Sequence, residues 1–92
     1  MLNLKLMLIE DEQELRLTLE KILKREMLEV HTFSSAISAL ESFEEIQPDV
    51  ILTDIRMPDM DGLTMLEHIR SIDKNLPVII ISAFSDVDYF QK

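Results

Sequence analysis

No cysteine occurs in the 92 residues, which excludes disulfides and thiolate metal sites and fits a reducing cytoplasm. Glycine occurs once, at Gly62, so a glycine-rich loop cradling a nucleotide phosphate is excluded as well. Tryptophan is absent, and four phenylalanines and one tyrosine are the whole aromatic set, so the core has to be aliphatic with methionine as filler. Basic residues are scarce: 9 Lys and Arg against 18 Asp and Glu give a formal charge of −9, which repels phosphate backbones and argues against nucleic-acid binding through this domain. No apolar run is long enough to span a bilayer. The first short strand passes straight into charged sequence, so neither a membrane span nor a signal peptide is expected.

What remains is a globular chain with 47% apolar residues. Its length allows one small domain over residues 1–92, and at this size folding buries only about 60 to 65% of the unfolded surface. The periodicity predicts a strand over Leu4 to Ile9, then the acidic run Glu10-Asp11-Glu12. A helix follows from about Gln13 to Met27, with Leu15, Leu19, Ile22 and Leu23 inward and Arg16, Glu20, Lys21 and Lys24 largely on the other face. A second strand covers Glu29 to Phe33. Ser34 or Ser35 caps a second helix to about Glu45, packing through Ile37, Leu40 and Phe43. After the third strand, a third helix runs from about Leu63 to Ser71 on Leu63, Leu66 and Ile69. Leu76-Pro77 ends it, Val78 to Ile81 is a fourth strand, and a fourth helix begins near Ser85 and Asp88. Strand and helix alternate throughout, the pattern of a parallel sheet with right-handed crossovers and helices on both faces.

The stretch Pro48 to Gly62 organises the rest. Val50-Ile51-Leu52-Thr53 is a short apolar run with β-branched members, the signature of a strand buried on both faces, and it delivers Asp54 to its carboxyl end. Ligands of open α/β sheets bind in the crevice outside that end. Pro58 then biases Met57 away from helix, and Asp61-Gly62 turns the chain into the third helix. Polar groups thus gather at three strand ends: Glu10 and Asp11, Asp54, and Ser82. If the first and third strands are neighbours, the carboxylates converge. Two unit charges about 4 Å apart repel by roughly 4 kcal/mol at an effective dielectric of about 20, so such a cluster binds protons or a cation. Oxygen ligands without His or Cys favour Mg²⁺, which commonly joins one or two carboxylates to a phosphate. A carboxylate can itself accept the phosphoryl group, with Ser82 placed to donate to a phosphoryl oxygen.

These residues make the chain resemble the receiver domain of two-component response regulators. The pieces that match are Glu10-Asp11 after the first strand, the stretch Asp54-Ile55-Arg56-Met57-Pro58-Asp59-Met60-Asp61-Gly62-Leu63, and Ile81-Ser82-Ala83. The resemblance implies a doubly wound, flavodoxin-like parallel sheet of order 2-1-3-4 and a phosphorylation-dependent switch. Asp54 would accept the phosphoryl group from a sensor histidine kinase, and would also take up the group from small phosphodonors and lose it by autodephosphorylation. Asp11 would be a direct Mg²⁺ ligand, Glu10 would hold the metal through water, and Asp54 and the backbone carbonyl of Arg56 would complete the protein ligands. Ser82 would be the switch hydroxyl, with Ala83 leaving access, and the kinase would dock on the outward face of the first helix. A downstream output domain and a cytoplasmic location belong to the same expectation.

One part of the family's pattern is not in this sequence: the fifth strand with its lysine, and the fifth helix. Lys92 follows no apolar strand and is no substitute. The expectation is therefore a domain truncated before its fifth βα unit, signalling poorly by itself. Without that unit Val78-Ile79-Ile80-Ile81 becomes a β-branched edge strand, and the chain is expected to self-associate, by edge pairing there or by exchange of its C-terminal segment, or to be partly unfolded. A receiver-like interaction module that is never phosphorylated is the alternative. An aspartyl phosphatase or phosphotransferase fits less well: it would place its nucleophile after the first strand with a second Asp two residues on, and Asp54 is followed by Ile55 and Arg56. His31, in a strand, and His68, on a polar helix face, are isolated, which speaks against metal or phosphorelay roles.

Overall fold

A computed structural model describes residues 2–55, 60 and 62–81. Four parallel strands alternate with three helices: β1 (Leu2–Ile9), α1 (Gln13–Leu23), β2 (Met27–Phe33), α2 (Ala36–Ile46), β3 (Val50–Asp54), α3 (Gly62–Ile72) and β4 (Val78–Ile81). The sheet order is β2-β1-β3-β4, so β1 and β3 are the central neighbours. The expected fourth helix, with Ser85 and Asp88, lies outside the described residues.

The sheet sorts its side chains by parity. Met7 pairs with Ile51 and His31, and Ile9 with Thr53 and Phe33. On that face the core forms from Met7, Ile9 and Ile51 under Ala36, Ala39 and Phe43 of α2 and Met65 and Ile69 of α3. Residues of the other parity, Leu6 and Leu8 on β1 with Glu10 just past its end, and Leu52 and Asp54 on β3, face the side that α1 covers. Two methionines, Met7 and Met65, are fully buried, and Met60 packs against the cluster, consistent with their reading as core filler.

Three local readings change. α1 stops at Leu23, four residues short of expectation, because Met27 already pairs with Leu2 of β1. With no glycine available for a left-handed cap, the chain leaves the helix by tightened turns, Arg25 N–H to the Ile22 carbonyl at 3.3 Å and Glu26 N–H to Leu23 at 3.0 Å. α1 also buries no residue: Leu15 stays 37% exposed and Ile22 52%, because among the described residues α1 is the one helix on its face of the sheet. In α2, Ile37 is exposed, and Ala36, Ala39 and Phe43 take the inward positions, since small residues let the helix sit close to the strands.

The α2 boundaries have clear causes. Ser35 is the cap, its hydroxyl accepting from the Ser38 amide at 3.2 Å, and Gln47 ends the helix in the left-handed region at φ 52°. Pro48 then redirects the chain, and Asp49 docks it beside β1. The Lys5 amide donates to the Asp49 carboxylate and the Asp49 amide donates to the Lys5 carbonyl, both at 2.8 Å. This two-way clamp sets the β1/β3 register from which the carboxyl ends of both strands follow.

Candidate phosphoacceptor and metal site

The β1/β3 register ends at Ile9 opposite Thr53. One residue further, it sets Glu10 beside Asp54, on the α1 side of the sheet and at its carboxyl edge. Asp11 follows in the turn into α1. One oxygen from each of Glu10, Asp11 and Asp54 lies within 4.8 Å of the others, so the three acids expected to converge do so. Glu10 is buried, Asp54 half-buried and Asp11 exposed. The group is therefore rooted in the fold on one side and open to solvent on the other.

Two of the three carboxylates accept from backbone donors. The Ile55 amide donates to one Asp54 carboxylate oxygen at 2.7 Å, and Ile55 itself is fully buried, which fixes the end of β3. Beside it Thr53 is buried and donates its hydroxyl to the Asp54 carbonyl at 3.0 Å. The Glu12 amide donates to a Glu10 carboxylate oxygen at 3.0 Å, while the Glu10 amide donates to the Phe33 carbonyl of β2 at 3.0 Å. Glu12 occupies the cap position of α1, but its side chain makes no capping bond.

Electrostatics follow from this crowding. Burial pushes the Glu10 carboxyl from an ordinary 4.5 up to about 7; the Glu12 amide works against the rise, and the side chain of Asp11 and the charge of Asp54 add to it. A buried acid facing two others holds its proton near neutrality unless a cation replaces it. The donor set fits Mg²⁺: three hard carboxylates, no His or Cys, and an exposed side at Asp11 through which waters and a phosphoryl oxygen would have access.

Two expected members of the site, the backbone carbonyl of Arg56 and the Ser82 hydroxyl, lie outside the described residues, as do Met57, Pro58 and Asp61. His31, expected to be isolated, pairs with Glu29 at 2.8 Å on edge strand β2, and His68 is exposed on α3. One functional candidate escaped the sequence reading. Arg16, assigned there to a polar helix face, is half-buried and donates its Nη1 to the Glu10 carbonyl at 2.9 Å. The available signal was its place one turn into a helix that opens directly on the acidic run.

Comparison with known proteins bears on this geometry. Residues 6–92 match the family described as response regulator receiver domain. The chain is 44% identical over 80 residues to the DNA-binding transcriptional regulator NtrC of Proteus hauseri, an overlap of 87% of this chain and 17% of that protein. It thus spans less than a fifth of the length of that relative. A receiver domain structure from Clostridium thermocellum shares 32% identity at a TM-score of 0.86, covering 96% of this chain and 71% of that one. The response regulator TrrA of Thermotoga maritima, solved in complex with Mg²⁺ and BeF, shares 26% identity at a TM-score of 0.79, covering 94% of this chain and 78% of that one.

Proposed function

The chain belongs to the response regulator receiver domain family, and from that premise we propose that Asp54 accepts a phosphoryl group from the phosphohistidine of a sensor histidine kinase, with Mg²⁺ held by Glu10, Asp11 and Asp54. The observation that carries this reading is the meeting of three carboxylates within 4.8 Å at the carboxyl edge of adjacent central strands. A lone carboxylate at a strand end has many uses; three that repel one another at an edge open to solvent on one side have few besides holding a cation or a proton.

In the proposed step an Asp54 carboxylate oxygen attacks phosphorus, a new P–O bond forms, and the bond from phosphorus to the donor breaks with its electron pair leaving on the donor. From phosphohistidine the leaving group is the imidazole; from acetyl phosphate it is acetate. Bound Mg²⁺ would offset the charge that accumulates on the phosphoryl oxygens. Ile55 N–H, by holding one Asp54 oxygen, fixes the orientation of the carboxylate at the end of β3. We assign the Arg56 carbonyl to the metal and the Ser82 hydroxyl to a phosphoryl oxygen by family resemblance. The outward face of α1 would meet the kinase, and a cytoplasmic location fits both the kinase and the cysteine-free sequence. Among the described residues no helix is long and apolar enough to cross a membrane.

The test is intact-mass analysis of the full-length protein after incubation with acetyl phosphate. One phosphoryl group should be added with Mg²⁺ present and none after chelation with EDTA. Absence of any adduct with Mg²⁺ would favour the alternative, a receiver-like interaction module that is never phosphorylated.

Self-association is a second proposal. Among the described residues β4 pairs with β3 alone, and Ile79 at its centre is 55% exposed. An uncharged β-branched edge of this kind is a template for a second strand. Sedimentation equilibrium of the 92-residue chain at micromolar concentration should show a dimer or larger species, and an ideal monomer would rule out edge pairing.

A further inference from the structure

We propose that Arg16 is a positioning residue for the acidic cluster: its guanidinium pins the Glu10 carbonyl and so holds the Asp11 carboxylate where it meets Glu10 and Asp54. The inference rests on the reading of that cluster as a Mg²⁺ site. Arg16 Nη1 donates to the Glu10 oxygen at 2.9 Å, while its own backbone amide donates to the Glu12 carbonyl at 2.9 Å. One residue thus grips the acidic turn on both sides of Asp11. The Glu10–Asp11 peptide is planar, so fixing its carbonyl oxygen fixes the Asp11 Cα from which the short carboxylate projects. Asp11 is the exposed member of the cluster and follows the strand end without being part of a helix or strand, so of the three it depends most on such an anchor.

The placement also goes against local electrostatics, which calls for a compensating role. A cation in the first turns of a helix faces the positive end of the helix dipole. Arg16 sits there, half-buried, beside a site that takes up a cation. Two effects therefore oppose each other. By charge alone Arg16 repels Mg²⁺, and its removal would tighten binding. By geometry it holds the turn in its metal-binding shape before the metal arrives, and its removal weakens binding. A hydrogen bond from a charged donor to a part-buried carbonyl also keeps that carbonyl from being stranded, so geometry should win.

The sign of the change decides the matter. Mg²⁺ alone is titrated into the protein while the amide resonances of Glu12 and Ile55, which donate to the Glu10 and Asp54 carboxylates, are followed. Arg16→Gln should raise the Mg²⁺ Kd about tenfold, and Arg16→Lys, which keeps the charge and one donor, should recover part of the loss. In the metal-free protein, hydrogen exchange at the Asp11 and Glu12 amides should quicken in Arg16→Gln while amides within β1 and β3 exchange as in the wild type. Arg16→Gln with equal or tighter Mg²⁺ binding and unchanged exchange at Asp11 and Glu12 overturns the proposal. Should Arg16→Gln unfold, Arg16→Lys decides: a weaker Mg²⁺ affinity supports the role and a wild-type affinity overturns it. A wild-type protein that binds no Mg²⁺ refutes the metal-site reading instead, and the metal-free exchange still tests whether Arg16 holds the turn.

Discussion

Stripped of divalent cations, the domain should lose stability as the pH rises from 5 to 8. Glu10 sits at about 7 in the fold against an ordinary 4.5, so between those values the native state holds a proton that the unfolded chain has released. Stability falls with pH wherever the native state binds more protons. The contribution is fully present below pH 4.5, is lost progressively as pH rises, and is gone above the folded value. Integrated over the window, it amounts to about 3 kcal/mol as an upper figure, a large share of what a small domain has. Urea melts from pH 5 to 8 read this slope directly. Glu10→Gln should flatten it and stabilise the metal-free protein at pH 8, because an amide can still accept from the Glu12 N–H without placing a charge in the site. Saturating Mg²⁺ should flatten it in the wild type too, since the cation favours the ionised form. Equal slopes in wild type and Glu10→Gln would show that this acid is not the source.

Asp11→Asn should weaken Mg²⁺ binding at least about tenfold. A single charge acting on another near 4 Å is worth roughly 4 kcal/mol at an effective dielectric of about 20, and a divalent ion feels twice that before water makes up part of the loss. The exposed position of Asp11 keeps the cost to the fold small, so calorimetric Mg²⁺ titration should separate binding from stability. The opposite pH trend accompanies it: wild-type affinity rises from pH 5 to 8 as Glu10 gives up its proton. An unchanged Kd in Asp11→Asn would remove that residue from the site.

The acids themselves were legible because strand-end position and residue type are both local properties of sequence. Asp54 could be placed at the end of an apolar β-branched run, and Glu10-Asp11 at the end of another, before any pairing was known. Their meeting was legible only through the family resemblance, which implies the strand order 2-1-3-4; local pattern alone does not give it. It depends on β1 and β3 being neighbours in a register set by the Lys5–Asp49 clamp, which joins residues 44 apart. Arg16 was missed for a related reason: helical periodicity assigns polar side chains to solvent and does not register a long side chain reaching back to the strand before it. In α2, hydrophobicity favoured Ile37, whereas packing distance favoured Ala36 and Ala39. The early end of α1 was likewise decided by a tertiary partner, the start of β1, over local helix propensity.

The central claim is that the Asp54 carboxylate, and no other group, receives the phosphoryl group. It is tested most directly by treating the protein with acetyl phosphate and Mg²⁺, reducing any acyl phosphate with borohydride, and mapping the peptides by mass spectrometry. Reduction converts a phosphorylated aspartate to homoserine and leaves free aspartate untouched. Homoserine at position 54 in the wild type, and at no position in Asp54→Asn, is the predicted result; homoserine at position 11, or undiminished phosphoryl incorporation in Asp54→Asn, would contradict it.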